Sequence, residues 1–356
     1  MEKIVYVATN SFSYKKFVRP IAINSSKIYD VSVIFDGADE FYEKDISLVN
    51  LAISRRPNVH MDLVAIIGLV RYLYQKNPVL VVSLMPKAGL LVSVACLVLR
   101  INHIHTFTGQ IWADFKGIKR RFYMTLDKFI ISNSKVCLVD GLAQRNHLAE
   151  ELGCNVDRLY VIWNGSVNGV DEHHFVPDVK VRSLMRKKLC IGDKELVFLF
   201  VGRIHRDKGV IDILKFSATL NLKHKVIFCG PLEIEDFRLP ENCSHVGYVE
   251  DPLEFYQMAD VLLLPSYREG FGNVVIEASA CGLPVLGSDI YGLRDSLIDG
   301  VNGVRFVCGD VKSMVNAFKE LQSKKEGLKG RDYIVENFSR DIYMKEYLKF
   351  LYNEIN

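Results

Sequence analysis

Short runs of uninterrupted apolar residues, separated by helix-length stretches, recur along almost the whole chain, and the pattern restarts once after a break. Ile4–Val7, Val31–Phe35, Val79–Leu84, His103–Phe107, Val136–Val139 and Tyr160–Ile162 read as strands, with helical spacing between them, as over Met61–Gln75. Strands that do not alternate apolar with polar need cover on both faces, which a parallel sheet between two helix layers provides. The turn-forming run Asn164-Gly-Ser-Val-Asn-Gly-Val-Asp171 and the charged stretch to Lys194 then interrupt the alternation and mark an interdomain hinge. Leu196–Val201, Lys225–Cys229, Val261–Leu264, Val285–Leu286 and Val304–Phe306 repeat it. The 356 residues therefore divide into an N-terminal domain (1–168), a C-terminal domain (169–337) and a final helix (338–356). Each domain is long enough to bury its own core. The final helix carries Tyr343, Tyr347, Phe350 and Leu351 at helical spacing, a face suited to packing back on the N-terminal domain. Ligands of such α/β sheets bind at the carboxyl ends of the strands, so two facing, doubly wound halves would form a cleft.

Charge and cysteine usage narrow the class. A formal net charge of +3 is too small to imply nucleic acid as a partner. The eight cysteines are scattered, with no C-x-x-C pair, and lie in or beside apolar runs, which points to a reducing compartment. Met-Glu-Lys-Ile-Val-Tyr-Val-Ala enters a strand directly without a signal peptide, so a cytoplasmic location is expected. The most apolar region, Val79–Leu99, has Pro86 and Lys87 at its centre and reads as strand, turn and packed helix rather than a membrane span. His173-His174 has no acid or thiol at ligand spacing and no Asp-x-Asp occurs, so neither a metal nor another cofactor is expected.

Chemistry concentrates in Pro265-Ser-Tyr-Arg-Glu-Gly-Phe-Gly-Asn-Val-Val-Ile-Glu-Ala-Ser-Ala-Cys-Gly-Leu-Pro284. A strand ends there in a glycine-bearing loop, a helix begins near Asn273, and Gly282 and Pro284 stop it. Glu269 precedes the helix start, where free N–H groups and the helix dipole favour an anion. Glu277 is the one carboxylate between Gly270 and Ser288, so it points at something specific. A second element, Gly202-Arg-Ile-His-Arg-Asp-Lys-Gly209, also leads from a strand into a helix. Its Arg203 suits bidentate contact with phosphate and its Lys208 adds a point charge, although Arg206 and Asp207 fit a solvated loop.

Together these motifs resemble the retaining glycosyltransferases of family 4, of the bacterial surface-polysaccharide type. Glu269 and Glu277 match that family's Glu-x7-Glu element, and Gly202, Arg203, Lys208 and Gly209 match its Gly-Arg…Lys-Gly element. Asn164-Gly165 and Asn168-Gly-Val-Asp171 look like its hinge motif, and Pro86-Lys-Ala-Gly-Leu-Leu91 and His105-Thr-Phe-Thr-Gly-Gln-Ile-Trp112 match its N-terminal half in character. The resemblance implies the GT-B fold, two facing Rossmann-like domains, the first for the acceptor and the second for a nucleotide-sugar donor. It implies that Arg203 and Lys208 neutralise the departing diphosphate and that Glu269 binds sugar hydroxyls. Glu277 would accept from the ribose, and backbone N–H groups of Gly270, Phe271, Gly272 and Asn273 would meet the sugar or distal phosphate. Both glutamates come from one half of the cleft, which favours ligand clamping over the paired acid–base work of a glycosidase.

The N-terminal half is less defined. Many relatives have a His-Gly step after the fourth strand, and here it is Thr108-Gly109. The role falls to His103 or His105 upstream, to Thr108 or to a backbone carbonyl, while a histidine at either position also suits a hydrogen-bonded strand. Ser11, Ser13 and Lys15 follow the first strand and read equally as acceptor contacts or as a polar turn. Lys116, Lys119, Arg120 and Arg121 interleave with Phe115, Ile118, Phe122 and Tyr123, giving a helix flank suited to an anionic membrane or, alternatively, a solvated face. The reading is a metal-independent, retaining hexosyltransferase using a UDP-sugar in preference to a GDP-sugar. Its acceptor would be a lipid-linked O-antigen or capsule precursor at the inner face of the cell membrane. A GT-B nucleotide-sugar epimerase and a non-enzymatic two-lobed sugar-binding protein are the rivals.

Overall fold

The computed structural model describes residues 1–54, 58–324 and 327–356, which form two compact units, Met1–Gly169 with Asp341–Asn356 and Val170–Arg340. In the N-terminal unit the chain runs β1 (Lys3–Asn10), α1 (Ser11–Ser13), a π-helical turn (Tyr14–Val18) and α2 (Arg19–Ser25). It continues through β2 (Asp30–Asp36), β3 (Ile46–Asn50), α3 (Val59–Lys76), β4 (Leu80–Leu84), α4 (Pro86–Leu99) and β5 (His103–Phe107). α5 (Gly117–Asn133), β6 (Val136–Val139), α6 (Leu142–Leu152) and β7 (Leu159–Tyr160) complete it. The sheet order is β3-β2-β1-β4-β5-β6-β7, with every pairing parallel.

Residues two apart on β1 go to the same side, as the pleat requires. Ile4, Tyr6 and Ala8 join α2 and the C-terminal helix, whose Tyr343, Met344, Tyr347, Phe350 and Leu351 are all buried. Val5 and Val7 face Ala65, Leu69 and Leu73 of α3 and Ala88, Leu91 and Val92 of α4. Each buried Val or Leu among these contributes about 1.5–3 kcal/mol by leaving water. The apolar stretch around Pro86 is a strand, a turn and a packed helix, and no helix among the described residues is long and apolar enough to cross a membrane. Pro86 at the first turn begins α4 because its missing N–H would be unpaired there anyway.

The C-terminal unit comprises α7 (Val179–Lys188), β8 (Val197–Val201), α8 (Val210–Ser217), β9 (Lys225–Cys229), β10 (Cys243–His245), α9 (Leu253–Met258) and β11 (Val261–Leu264). α10 (Asn273–Ala280), β12 (Val285–Ser288), β13 (Gly303–Phe306), α11 (Val311–Lys324) and α12 (Gly330–Phe338) follow. Its parallel sheet has the order β10-β9-β8-β11-β12-β13, with separate apolar layers on the two faces. The final helix spans Arg340–Ile355 rather than starting at 338, because Phe338 closes α12 and Ser339, with ψ 135°, separates the two. β3 and β10, which the apolar runs do not announce, are each the first strand of their sheet, at its edge. An edge strand is covered on fewer sides, and Ile46-Ser-Leu-Val-Asn50 and Cys243-Ser-His245 are correspondingly more polar.

Candidate functional site

At the carboxyl edge of the C-terminal sheet, β8 ends at Val201 and the chain turns through Gly202, whose N–H donates to the Cys229 carbonyl at 2.9 Å. Arg203 follows, with Nη1 2.7 Å from Glu233 Oε2 and Nη2 3.2 Å from Asp207 Oδ2. Burial pushes the Asp207 carboxyl up, but the His205 contact at 2.6 Å and the Lys208 and Arg203 charges outweigh it and hold it below its ordinary value. Asp207 also lies 3.4 Å from Arg268 Nη2, so it links the two loops. At Gly209 the backbone is left-handed, φ +69°, and a Cβ would lie 2.0 Å from the Pro265 carbonyl oxygen. Only glycine lets the 202–209 loop lie this close to the strand end.

β11 ends one residue before Pro265, and its loop carries Glu269. The Oε1 atom of Glu269 accepts from Lys208 Nζ at 2.8 Å and from Ser266 Oγ at 2.7 Å. Lys208 Nζ also donates to the Arg268 carbonyl at 3.3 Å. A Cβ on Gly292 would lie 2.0 Å from the Glu269 carbonyl oxygen, so the loop presses onto the segment after β12. The loop closes at Gly272, φ +77°, which precedes α10 without a side-chain cap on the helix N-terminus. Phe271 packs its side chain edge-on to Phe338, and its carbonyl accepts from Ser296 Oγ at 2.6 Å. Glu277, one turn inside α10, is 7% exposed, and the Tyr256 hydroxyl donates to its Oε2 at 3.0 Å.

Arg203, Lys208 and Glu269 thus lie in one charged network, with Gly270–Gly272 in the same loop and Asn273 and Glu277 on the adjoining helix. Asp207, Glu233, Ser266 and Arg268 belong to the same network. Ser266 and Arg268 precede Glu269 by three residues and one, so the Glu269 motif itself is the sequence signal for both. Tyr256 comes from another helix and carries no sequence signal.

The N-terminal unit places its candidate residues differently. Ser11 Oγ donates to the Asp36 carbonyl at 3.3 Å beside Gly37. Ser13 is buried, its N–H capped by Asn10 Oδ1 at 3.0 Å, so it secures the turn instead of facing outward. Lys15 Nζ lies 5.4 Å from the Phe41 ring centroid. His105 is a core residue, in keeping with a hydrogen-bonded strand histidine. It has no exposed area, its ring meets Phe107 edge-on at 4.5 Å, and a Cβ on Gly89 would lie 2.4 Å from it. Burial first, then the neighbouring His103, pushes it well below the ordinary histidine range, and burial pushes His103 down to about 3. Strand alternation explains the outcome: both rings point to one side of β5, where Ser83 Oγ bridges them at 2.7 and 2.8 Å. Thr108, beyond the strand end, is half-buried with Oγ1 3.3 Å from Met85 Sδ. On α5, Arg120 pairs with Glu151 at 2.6 Å and is turned inward over Trp112, whereas Lys119, Arg121 and, just before the helix, Lys116 are exposed.

Residues 181–339, nearly all of the C-terminal unit, match the family model described as glycosyl transferases group 1. The C-terminal unit is a group 1 glycosyltransferase domain. The whole chain is similar to the capsular polysaccharide biosynthesis glycosyltransferase CapM of Staphylococcus aureus, 26% identical over 381 aligned positions covering 99% of this chain and 97% of CapM. Among solved structures it is similar to sucrose-phosphate synthase from Thermosynechococcus elongatus, with TM-score 0.82 and 17% identity over 100% of this chain and 99% of that one. It is also similar to Anabaena HepE in complex with UDP and glucose, with TM-score 0.81 and 16% identity over 99% of this chain and 100% of that one. At these identities the likeness shows the fold, GT-B, with two Rossmann-like domains in one chain. In the glycosyltransferase domain the charged network therefore occupies the carboxyl edge where Rossmann-like sheets bind ligands.

Proposed function

We propose that this glycosyltransferase is a retaining hexosyltransferase that takes a sugar from a nucleoside diphosphate, UDP in preference to GDP, and adds it to a lipid-linked precursor of a surface polysaccharide. The observation that carries the reading is the meeting of Arg203, Lys208 and Glu269 beside the uncapped start of α10, with Glu277 one turn inside. Arg203 and Lys208 stabilise the negative charge that develops on the departing diphosphate, where fixed positive groups are worth most. The N–H groups at the start of α10 take a distal phosphate or the sugar. Glu269 accepts from sugar hydroxyls and Glu277 from the ribose. In a retaining transfer the leaving diphosphate and the incoming hydroxyl share one face of the sugar, and the diphosphate itself steadies an oxocarbenium-like transition state. These positive side chains supply the charge compensation without a metal in the proposed scheme.

The likeness to CapM supports a capsular or related glycan as the product, and the HepE complex supports a uridine donor. The acceptor is assigned to the N-terminal unit, where Ser11, Lys15 and Thr108 follow strands at the carboxyl edge. Attachment to the inner face of the membrane is supported by the layer of α3, α4 and α5, in which α4 packs against both neighbours. Val59, Leu63, Val64 and Ile67 on α3 and Ile118 and Phe122 on α5 are exposed, with Ile118 87% accessible. Arg71, Lys119, Arg121 and Lys128 are exposed on the same helices and Lys116 just before α5, and no carboxylate is exposed there among the described residues. Apolar groups ringed by cations match an anionic lipid surface.

Incubation with radiolabelled UDP- and GDP-sugars and lipid-extracted membranes tests the reading. Label that enters lipid supports it. Isomerised soluble nucleotide sugar would identify an epimerase, and bound but unchanged nucleotide sugar a binding protein.

A further inference from the structure

Glu277 does not orient itself. It lies one turn inside α10 with three side-chain torsions, and a carboxylate free to rotate would present no fixed pair of oxygens to a ribose. Its Oε2 accepts from the Tyr256 hydroxyl at 3.0 Å, and both residues are buried. We propose that Tyr256 is the positioning residue of the nucleotide site: its hydroxyl fixes the Glu277 carboxylate in the orientation that receives the ribose hydroxyls of the donor. The inference rests on the reading of Glu277 as the ribose ligand and adds a residue from a different helix.

Three features make Tyr256 suited to this. Its hydroxyl remains a donor, because burial, and then the Glu277 charge, raise it well above the ordinary tyrosine range. Its ring is held by packing, edge-on to Phe175 with centroids 6.0 Å apart. Its helix is anchored independently of the hydroxyl. Gln257 Nε2 donates to the Val176 carbonyl at 2.7 Å, and Arg182 Nη1 donates to the Met258 and Ala259 carbonyls at 2.6 and 2.7 Å. The hydroxyl therefore projects from a fixed ring on a fixed helix. An ionised carboxylate offers about four acceptor sites on its two oxygens, and the bond from Tyr256 takes one of those on Oε2.

The same anchoring makes the test clean. Tyr256→Phe keeps the ring, the Phe175 contact and the helix bonds, and removes only the oxygen that touches Glu277. The full chain is assayed as wild type, Tyr256→Phe, Glu277→Ala and the double variant, for binding of UDP, 2′-deoxy-UDP and 3′-deoxy-UDP, and for donor KM and kcat. Loss of a hydrogen bond to a charged group corresponds to about tenfold or more in affinity. Tyr256→Phe is expected to weaken UDP about tenfold and to raise donor KM with kcat little changed. The deoxy nucleotides should lose far less, so discrimination in favour of ribose shrinks, an effect that loss of packing alone would not produce. The double variant should bind UDP no more weakly than Glu277→Ala, because the hydroxyl acts through the carboxylate.

Tyr256→Phe with wild-type UDP affinity and wild-type ribose discrimination overturns the inference while leaving the ribose role of Glu277 standing if Glu277→Ala weakens UDP. A lowered Tm with kcat reduced and KM unchanged overturns it in favour of a purely structural tyrosine. If Glu277→Ala binds UDP and its deoxy analogues as the wild type does, or the wild type does not bind UDP, the underlying reading fails and the inference with it.

Discussion

Replacing Lys208 tests the assignment of the charged network most directly. Its Nζ lies 2.8 Å from Glu269 Oε1, the two side chains being 17% and 15% exposed. Lys208→Met keeps the apolar stem and removes the charge. Two effects follow, and their sizes separate them. On stability, a partly buried pair is worth more than a surface pair but repays part of its desolvation, so losing the cation costs about 1–2 kcal/mol. Glu269 keeps its bond from Ser266, which limits the loss. For a unit of this size that is a fall in Tm of about 2–8 °C, and a fold stable by at least about 5 kcal/mol stays more than about 99% native at 25 °C. On catalysis, a fixed group aimed at charge developing in the transition state is worth about 100–1,000-fold in kcat. Depletion of folded protein therefore explains no more than a per cent or so of such a loss. The assay pairs thermal denaturation with initial rates of label transfer at saturating donor. A Lys208→Met protein that is folded and retains kcat within threefold of wild type refutes the phosphate role. A change confined to acceptor KM refutes it equally.

Further perturbations have defined outcomes. Gly209→Ala adds a Cβ 2.0 Å from the Pro265 carbonyl oxygen at φ +69°, and because the obstacle is backbone the Glu269 loop must shift. The expected loss is about 2–5 kcal/mol in chemical denaturation of the C-terminal unit, and an unchanged midpoint refutes the close approach. Burial raises the Asp127 carboxyl to about 7 despite the bond from Trp112 Nε1. Its folded-state value lies above the unfolded one, so the stabilisation is present below about pH 4 and is lost as pH rises through 7, by about 4 kcal/mol in total. Asp127→Asn should flatten that pH dependence in urea titrations at pH 5 and 8, and a slope equal to wild type counts against the buried acid. Ile67→Glu combined with Phe122→Glu should reduce co-flotation with phosphatidylglycerol vesicles at least about tenfold while leaving UDP affinity unchanged; unchanged flotation refutes the α3–α5 surface.

The central strands of both sheets were legible because burial on two faces leaves an uninterrupted apolar run, as in Val261–Leu264 and Lys225–Cys229. The edge strands β3 and β10 were not, since a half-covered strand keeps Ser47, Asn50 and Ser244 and loses the signal. Glu277 was legible as a solitary acid on an apolar helix, and the structure shows it buried with a phenol at its carboxylate. Tyr256 was not legible, because nothing local marks a buried tyrosine that reaches across to another helix. For His105 two readings stood open, a cleft group or a hydrogen-bonded strand residue, and the structure has the second arrangement: the Ser83 hydroxyl bridging two rings satisfies part of its polarity inside the core, and alternation along β5 fixes its direction.

The acids around the phosphate-binding candidates are as informative as the cations. Arg203, Lys208 and Arg268 converge from two loops, and uncompensated they would repel one another at separations where the Debye length offers little screening. In this structure each has a carboxylate: Glu233 and Asp207 for Arg203, Glu269 for Lys208, and Asp207 again for Arg268. The loops can therefore hold their shape with the cations already grouped, which is the preorganisation that electrostatic catalysis requires. A diphosphate entering the network competes with these carboxylates for the same cations. Its affinity then reflects the difference between two sets of charge-assisted hydrogen bonds rather than the gross strength of one. The same exchange connects the roles proposed for Lys208 and Glu269. In the proposed scheme, once Lys208 turns to phosphate, the Glu269 oxygen it held becomes an acceptor for a sugar hydroxyl, so the cation and the acid act on the donor as a coupled pair. Mutations at Lys208 and Glu269 should accordingly be non-additive in kcat/KM.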